Sequence, residues 1–327
     1  MKDFTGKIAV VTGGGTGMGR ELARQLSAEG CHVAMCDVSD ENMAETRALC
    51  DEEAPAGTRV TTHLCDVSVE DDVLRFRDEV IREHGDAINL LFNNAGIGGG
   101  GSFLEEGRED WDKTFGVCWF GVYYCCRAFV PMLVASNEGH LINTSSVNGF
   151  WASLGPQIPH TAYSAAKFAV KGFSEALITD FRINAPPVNV SVVMPGHIGT
   201  SIAINSGKVL GKPAALDMSD EDVRGVRERM MRMYSPMAEE IMNMNDDQIR
   251  EAMHQRALDF KDNAPLSASE AANIILDGVR KEKWRILVGE DAHRIDEKVR
   301  SNPEMAYEQE FIDKMKEDGD LQELIRG

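Results

Sequence analysis

Tyr163 and Lys167 stand four residues apart in the run Tyr163-Ser164-Ala165-Ala166-Lys167, at the start of a stretch with helical periodicity. That spacing projects both side chains from one helix face. A phenol with a pKa near ~10 is a poor proton donor or acceptor at neutral pH, and a nearby ammonium lowers that value by stabilising the phenolate. The pair is therefore read as a general acid/base, Tyr163, tuned by Lys167; the alternative is an exposed pair without a task. Upstream, Asn143-Thr144-Ser145-Ser146-Val147-Asn148-Gly149 carries adjacent serines. Ser146 is placed to donate a hydrogen bond to a substrate oxygen, whereas Ser145 suits a bond to the turn's own backbone.

A second constellation suits phosphate. Thr12-Gly13-Gly14-Gly15-Thr16-Gly17-Met18-Gly19 follows an apolar run and precedes helical sequence from about Arg20. Glycines let the backbone approach a pyrophosphate with no Cβ in the way, and the free N–H groups and dipole of a helix N-terminus favour its charge. Asp37 lies 18 residues beyond Gly19, where a carboxylate can accept hydrogen bonds from adenosine ribose hydroxyls. A 2′-phosphate would meet that carboxylate with no cation at position 16 or 38 to offset it, so NAD is expected over NADP. Asn93-Asn94-Ala95-Gly96 and Pro195-Gly196-His197-Ile198-Gly199-Thr200 close two further apolar runs, and the second could fix a nicotinamide carboxamide through its backbone and hydroxyl.

All of these residues sit at the ends of short apolar runs that alternate with longer amphipathic stretches. That rhythm specifies an α/β fold, a doubly wound parallel sheet with helices on both faces. Strands are expected at 7–12, 32–37, 59–64, 88–92, 140–144 and 189–194, with a seventh at 285–289. The whole chain, 1–327, reads as one domain. Residues 200–265 break the rhythm with charged, helical sequence and read as an insertion. Eight of the 16 methionines lie between Met218 and Met253, and flexible thioethers suit a substrate lid that moulds itself around apolar shapes. The alternative is a helix pair whose methionines face a core. The tail 291–327 is charged and expected to be helical, free to pack on a neighbour.

Composition narrows the partners. Acids exceed bases by 19, and 27 of the 53 acids follow residue 216, a field that repels nucleic acid and anionic membrane surfaces. No uncharged apolar run approaches the ~20 residues of a spanning helix. The seven cysteines include no CxxC pair, which suggests neither a disulfide framework nor a metal site and fits a reducing compartment. The apolar run before Thr12 is too short for a signal-peptide core, so a cytoplasmic protein is expected.

Taken together, TGxxxGxG at 12–19, Asp37, Asp66-Val67, NNAG at 93–96, the Ser146/Tyr163/Lys167 set and PGxxxT at 195–200 resemble the short-chain dehydrogenase/reductase family in its short, single-domain form. Their order and spacing agree across about three fifths of the chain. The resemblance implies a Rossmann fold, dimeric or tetrameric, that transfers hydride between NAD(P) and an alcohol or carbonyl without a metal. It implies that Tyr163 is the acid/base, that Lys167 lowers its pKa and holds the nicotinamide ribose, and that Ser146 positions the substrate oxygen. The same resemblance puts the glycine loop, with Gly13, Thr16, Gly17, Met18 and Gly19, against the cofactor. Asp66 and Val67 would flank the adenine and Asn93 the adenosine ribose side, with Ala95 and Gly96 also against the cofactor. Pro195, Gly196, Ile198 and Thr200 would hold the carboxamide.

Two departures stand out. The family's NxxG asparagine is replaced by Cys118, a weak hydrogen-bonding substitute, read either as buried packing or as a reactive thiol. Ser146 and Tyr163 are also 17 residues apart, a few more than usual, with Trp151, Pro156, Pro159 and His160 in the added loop; Trp151 and His160 are candidates to touch substrate. The expected activity is a secondary-alcohol dehydrogenase or ketone reductase for a bulky, apolar substrate. The alternative from another class is a catalytically silent NAD-binding relative.

Overall fold

A computed structural model describes residues 1–154, 158–233 and 238–319. Seven parallel strands form one sheet: β1 (Ile8–Thr12), β2 (His32–Asp37), β3 (Val60–Leu64), β4 (Leu90–Asn93), β5 (Gly139–Thr144), β6 (Val188–Pro195) and, late in the chain, β9 (Arg285–Val288). Their spatial order is β3-β2-β1-β4-β5-β6-β9. β1 and β5 are buried almost throughout, as a sheet covered on both faces requires.

The helices between these strands divide into two layers. On one face α3 (Glu70–His84), α5 (Gly121–Ala135) and α6 (Thr161–Asn184) enclose a core in which Phe76 and Phe129 meet edge to face at 5.3 Å. On the other face α1 (Gly17–Ala28) and α11 (Ala268–Arg280) bury Leu22, Leu26, Ile275 and Leu276. The remaining early helices are α2 (Asp40–Glu53) and α4 (Arg108–Phe115). α4 runs into α5 through a π-turn at Gly116–Phe120. The continuous helix Arg108–Ala135 is long and apolar enough to cross a membrane by length and composition, yet 56% of its apolar window is buried inside the fold.

Residues 200–265 leave and rejoin the sheet domain at one place. β7 (Ile198–Gly199) and β8 (Leu266–Ser267) pair as a two-stranded parallel clip, Ile198 opposite Leu266 and Gly199 opposite Ser267. Between them run α7 (Ile202–Val209), α8 (Asp220–Met233), α9 (Ala238–Asn243) and α10 (Asp246–Asp262). Met218, Met230, Met231 and Met244 pack around Val223, Ile241 and Ile249 in a small core of their own. For these four methionines the core-facing alternative is the one observed.

Two expectations are corrected near the C-terminus. The tail, α12 (Glu290–Ser301) and α13 (Gln309–Glu317), folds back on its own chain. Its Ile295, Val299, Ala306, Ile312 and Met315 surround Trp151, which is fully buried and donates its indole N–H to the Ala306 carbonyl at 2.8 Å. Trp151 therefore anchors the tail and does not line a substrate pocket. Pro156 and residues 320–327 lie outside the described residues.

Candidate active site

The strand order reverses between β1 and β4, and in an open α/β sheet a crevice opens beyond the strand ends at such a point. Here it is a cavity of about 450 Å³, within the size range of small-molecule sites. The loops after β1 and β4 form its floor and are fastened together by Thr12, whose hydroxyl accepts the backbone N–H groups of Asn94 and Ala95, each at 3.0 Å. Gly13 has a φ of +68°, and a Cβ there would lie 2.9 Å from the Ala95 Cα, so the loop closes only with glycine. Thr16 precedes α1 without capping it; its hydroxyl instead accepts Asn205 Nδ2 at 3.1 Å. The first turn of α1 contains no acidic side chain, leaving its N–H groups and dipole to an anion.

Gly13, Thr16, Gly17, Met18, Asp37 and Asp66 line this cavity, as do Val67, Ala95, Gly96 and Thr200. Asp37 accepts the Gly15 N–H at 3.0 Å and the Ser39 N–H at 3.1 Å, and burial pushes its carboxyl above the usual range against the pull of those bonds. Burial also raises Asp66, but the Lys113 ammonium at 2.6 Å and the Ser68 bonds outweigh it and hold that carboxyl below its usual range.

Other residues expected at the cofactor stand behind the wall. Gly19 packs on the glycine loop, where a Cβ would strike the Gly13 carbonyl oxygen at 2.0 Å. Asn93 is buried and donates from Nδ2 to Asn143 Oδ1 of β5 at 2.8 Å; its neighbour Asn94 faces the cavity instead. Asn93 ends β4 and ties it to β5, and Asn94 is the first residue of the loop beyond it. Pro195 and Ile198 belong to β6 and β7, and Gly196 donates to the Val288 carbonyl at 2.9 Å, so this loop presents Thr200 rather than itself. It is braced from the tail by Asp291, a buried carboxylate that accepts the His197 N–H at 2.6 Å.

Beside the cavity, the structure brings Ser146, Tyr163 and Lys167 together. Ser146 caps the turn Val147–Gly149 by accepting the Asn148 N–H at 3.1 Å, and it lies near enough to the Tyr163 phenol to pull its pKa down. Lys167, buried, donates to the Thr144 carbonyl at 2.9 Å and stands 5.4 Å from the Tyr163 ring centroid. A Cβ on Gly96, in the cavity wall, would lie 3.5 Å from Lys167 Nζ and 3.8 Å from Cys118 Sγ, so the lysine abuts the cavity. Ser145 pins α6 to β5 by donating to the Lys167 carbonyl at 2.8 Å, a cross-element bond rather than the local turn bond expected.

Tyr163 sits among groups with opposed effects on its proton. Burial pushes its phenol well above 10, a nearby Cys118 adds to this, and the group that lowers it is Ser146. The Lys167 ammonium gives one of its three N–H donors to the Thr144 carbonyl, and burial lowers its own pKa. Cys118 lies in the π-turn, a feature frequent at functional sites. Its thiol is buried and donates to the Ile97 carbonyl at 3.2 Å, which is the packing role. His160 packs its ring 4.6 Å from that of Tyr163, and burial holds its pKa down to about 4, leaving it neutral at physiological pH.

Sequence reasoning missed part of the wall. Asn94, Ile97 and Val117 line the cavity, as do Ile202, Asn205 and Lys208 of α7. The signal for α7 was present: Ile202, Asn205 and Val209 follow Thr200 at helical spacing.

Residues 7–209 match the family model described as short chain dehydrogenase. Over 296 residues, 90% of this chain and 91% of the relative, the sequence is 33% identical to SadH of Mycobacterium tuberculosis. It is 32% identical to human epidermal retinol dehydrogenase 2 over 72% of this chain and 75% of that one. A short-chain dehydrogenase/reductase from Burkholderia phymatum, solved with NAD, superposes with a TM-score of 0.71 at 29% identity, covering 93% of this chain and 95% of its own. A metagenomic short-chain oxidoreductase solved with NADP gives 0.53 at 32% identity, covering 59% and 83%.

Proposed function

The chain belongs to the short-chain dehydrogenase family, and from that premise we propose that it is an NAD-dependent oxidoreductase for a bulky, apolar secondary alcohol or ketone. The observation that carries this reading is the convergence of Ser146, Tyr163 and Lys167 beside a cavity floored by the glycine loop. A nicotinamide dinucleotide, which the loop, the uncapped start of α1 and the cavity's size fit, supplies or accepts the hydride. Tyr163 gives its phenolic proton to the carbonyl oxygen in reduction and takes it back in oxidation. Ser146 donates a second hydrogen bond to that oxygen and so stabilises its growing negative charge. This arrangement favours turnover over the silent dinucleotide-binding alternative.

A bulky substrate is supported by the retinol dehydrogenase among the relatives. The test follows NADH absorbance with purified protein and a graded set of ketones. The Michaelis constant is expected to fall from acetone-sized to ring-bearing ketones; the opposite order would defeat the substrate class.

The preference for NAD rests on Asp37 in the cavity wall. Asp37→Asn keeps an acceptor for the Gly15 N–H and removes the charge that repels a 2′-phosphate. It is expected to shift the ratio of NADH to NADPH dissociation constants about tenfold toward NADPH, equivalent to ~1.4 kcal/mol. Tighter binding of NADPH by the unaltered protein would refute the assignment. Seven free, buried cysteines support a reducing, cytoplasmic location. The exposed aromatics Phe120 and Tyr123, in and just after the π-turn, and Phe168 of α6 support a homo-oligomer.

A further inference from the structure

We propose that α7 is a strap across the cofactor cleft and that Lys208 on it pairs with the pyrophosphate of the bound dinucleotide, which deepens the reading given under Proposed function. Three observations carry this. First, α7 turns one face to the cavity: Ile202, Asn205 and Lys208 line it at three-residue spacing. Second, the helix is fastened on both sides of the cleft. Asn205 Nδ2 donates to Thr16 Oγ1 of the glycine loop at 3.1 Å, and Ser206 Oγ accepts the Gly98 N–H of the loop after β4 at 2.8 Å.

Third, the charges are unbalanced. Among the described residues, Lys208 is the one cation lining the cavity, against the carboxylates of Asp37, Glu41 and Asp66. Asp66 is answered by Lys113, whereas no ion pair or hydrogen bond occupies the Lys208 ammonium among the described residues. Lys208 sits one turn beyond Asn205, whose amide already touches the loop shaped for phosphate. A dinucleotide brings two phosphate charges into a strongly acidic protein, and the glycine loop answers them with backbone N–H groups alone. An exposed lysine on a flexible stem supplies the missing countercharge without disturbing the core.

The experiment is a fluorescence titration of the full chain with NADH, with NADPH and with ADP-ribose as a competitor, at low and high salt, using Lys208→Met and Lys208→Arg. Lys208→Met is expected to weaken NADH, NADPH and ADP-ribose alike, by about tenfold at low salt, as loss of a charge-assisted bond does. It is also expected to flatten the salt dependence of binding, and Lys208→Arg is expected to retain both affinity and salt response. A loss confined to NADPH would overturn the proposal by assigning Lys208 to the 2′-phosphate. Unchanged affinities in Lys208→Met, with NADH binding intact in the unaltered protein, would overturn it outright. If the unaltered protein binds neither nucleotide, the dinucleotide reading of the cavity itself fails. Matching melting temperatures of the variants exclude misfolding as the cause.

Discussion

Replacing Tyr163 with phenylalanine is expected to lower turnover at least ~100-fold while leaving NADH affinity nearly unchanged. The variant keeps the ring that packs on His160 at 4.6 Å and loses only the hydroxyl. The reacting oxygen then has neither a proton source nor its principal hydrogen bond, and no neighbour can take the role. His160 is held neutral by burial. Turnover numbers from NADH absorbance, set beside dissociation constants from fluorescence, check this directly. Turnover within a few-fold of the unaltered protein would remove Tyr163 from the chemistry. Because burial pushes the phenol up and Ser146 pulls it down, Ser146→Ala is the companion variant. It should move the rising, low-pH limb of the oxidation profile, where the phenolate is the base, to higher pH, since the phenolate then loses a stabilising neighbour.

Trp151→Ala is expected to cost about 3–5 kcal/mol of stability, in the range for emptying a buried aromatic site. The indole is fully enclosed by α12 and α13 on one side and the turn after β5 on the other. Trp151→Phe refills most of that volume but leaves the Ala306 carbonyl without its 2.8 Å donor, a smaller penalty of about 1–3 kcal/mol. Urea unfolding of the two variants should therefore rank Ala below Phe below the unaltered protein. Activity should fall as well, because Trp151 donates its backbone N–H to Val147, next to Ser146, and accepts from Asn148. Unaltered stability combined with a raised Michaelis constant would return Trp151 to the substrate pocket.

Much of the sheet was legible because a parallel sheet writes itself as continuous apolar runs, and all seven strands lie where those runs fall. β4 starts two residues late because the Ile88 N–H turns to the Met132 carbonyl of α5. The Tyr163 and Lys167 pair and the glycine loop were legible for a different reason: their spacing in the chain is also their spacing in space. What escaped is set by contacts between distant segments. Nothing local in Trp151 distinguishes an aromatic that lines a pocket from one that waits for Ala306, 155 residues later. Asn93 and Asn94 are chemically identical neighbours, and only the register of β4 against β5, with Asn93 opposite Asn143, decides which faces the cavity. The methionines of α8 to α10 could equally have faced a ligand until Val223, Ile241 and Ile249 gave them a core.

The β7–β8 clip separates two problems that the chain would otherwise have to solve together. Neighbouring strands lie ~4.8 Å apart, so the segment between Gly199 and Leu266 departs and returns at almost the same point. Apart from α7, which is tied to the glycine loop through Asn205 and Thr16, its length therefore places no geometric demand on β6 or β9. Because loop-closure entropy grows only logarithmically with length, residues can be added to or removed from α8–α10 at small cost to the catalytic scaffold. The clip makes α8–α10 an exchangeable cassette, whose length can change while the sheet that carries Ser146, Tyr163 and Lys167 stays as it is.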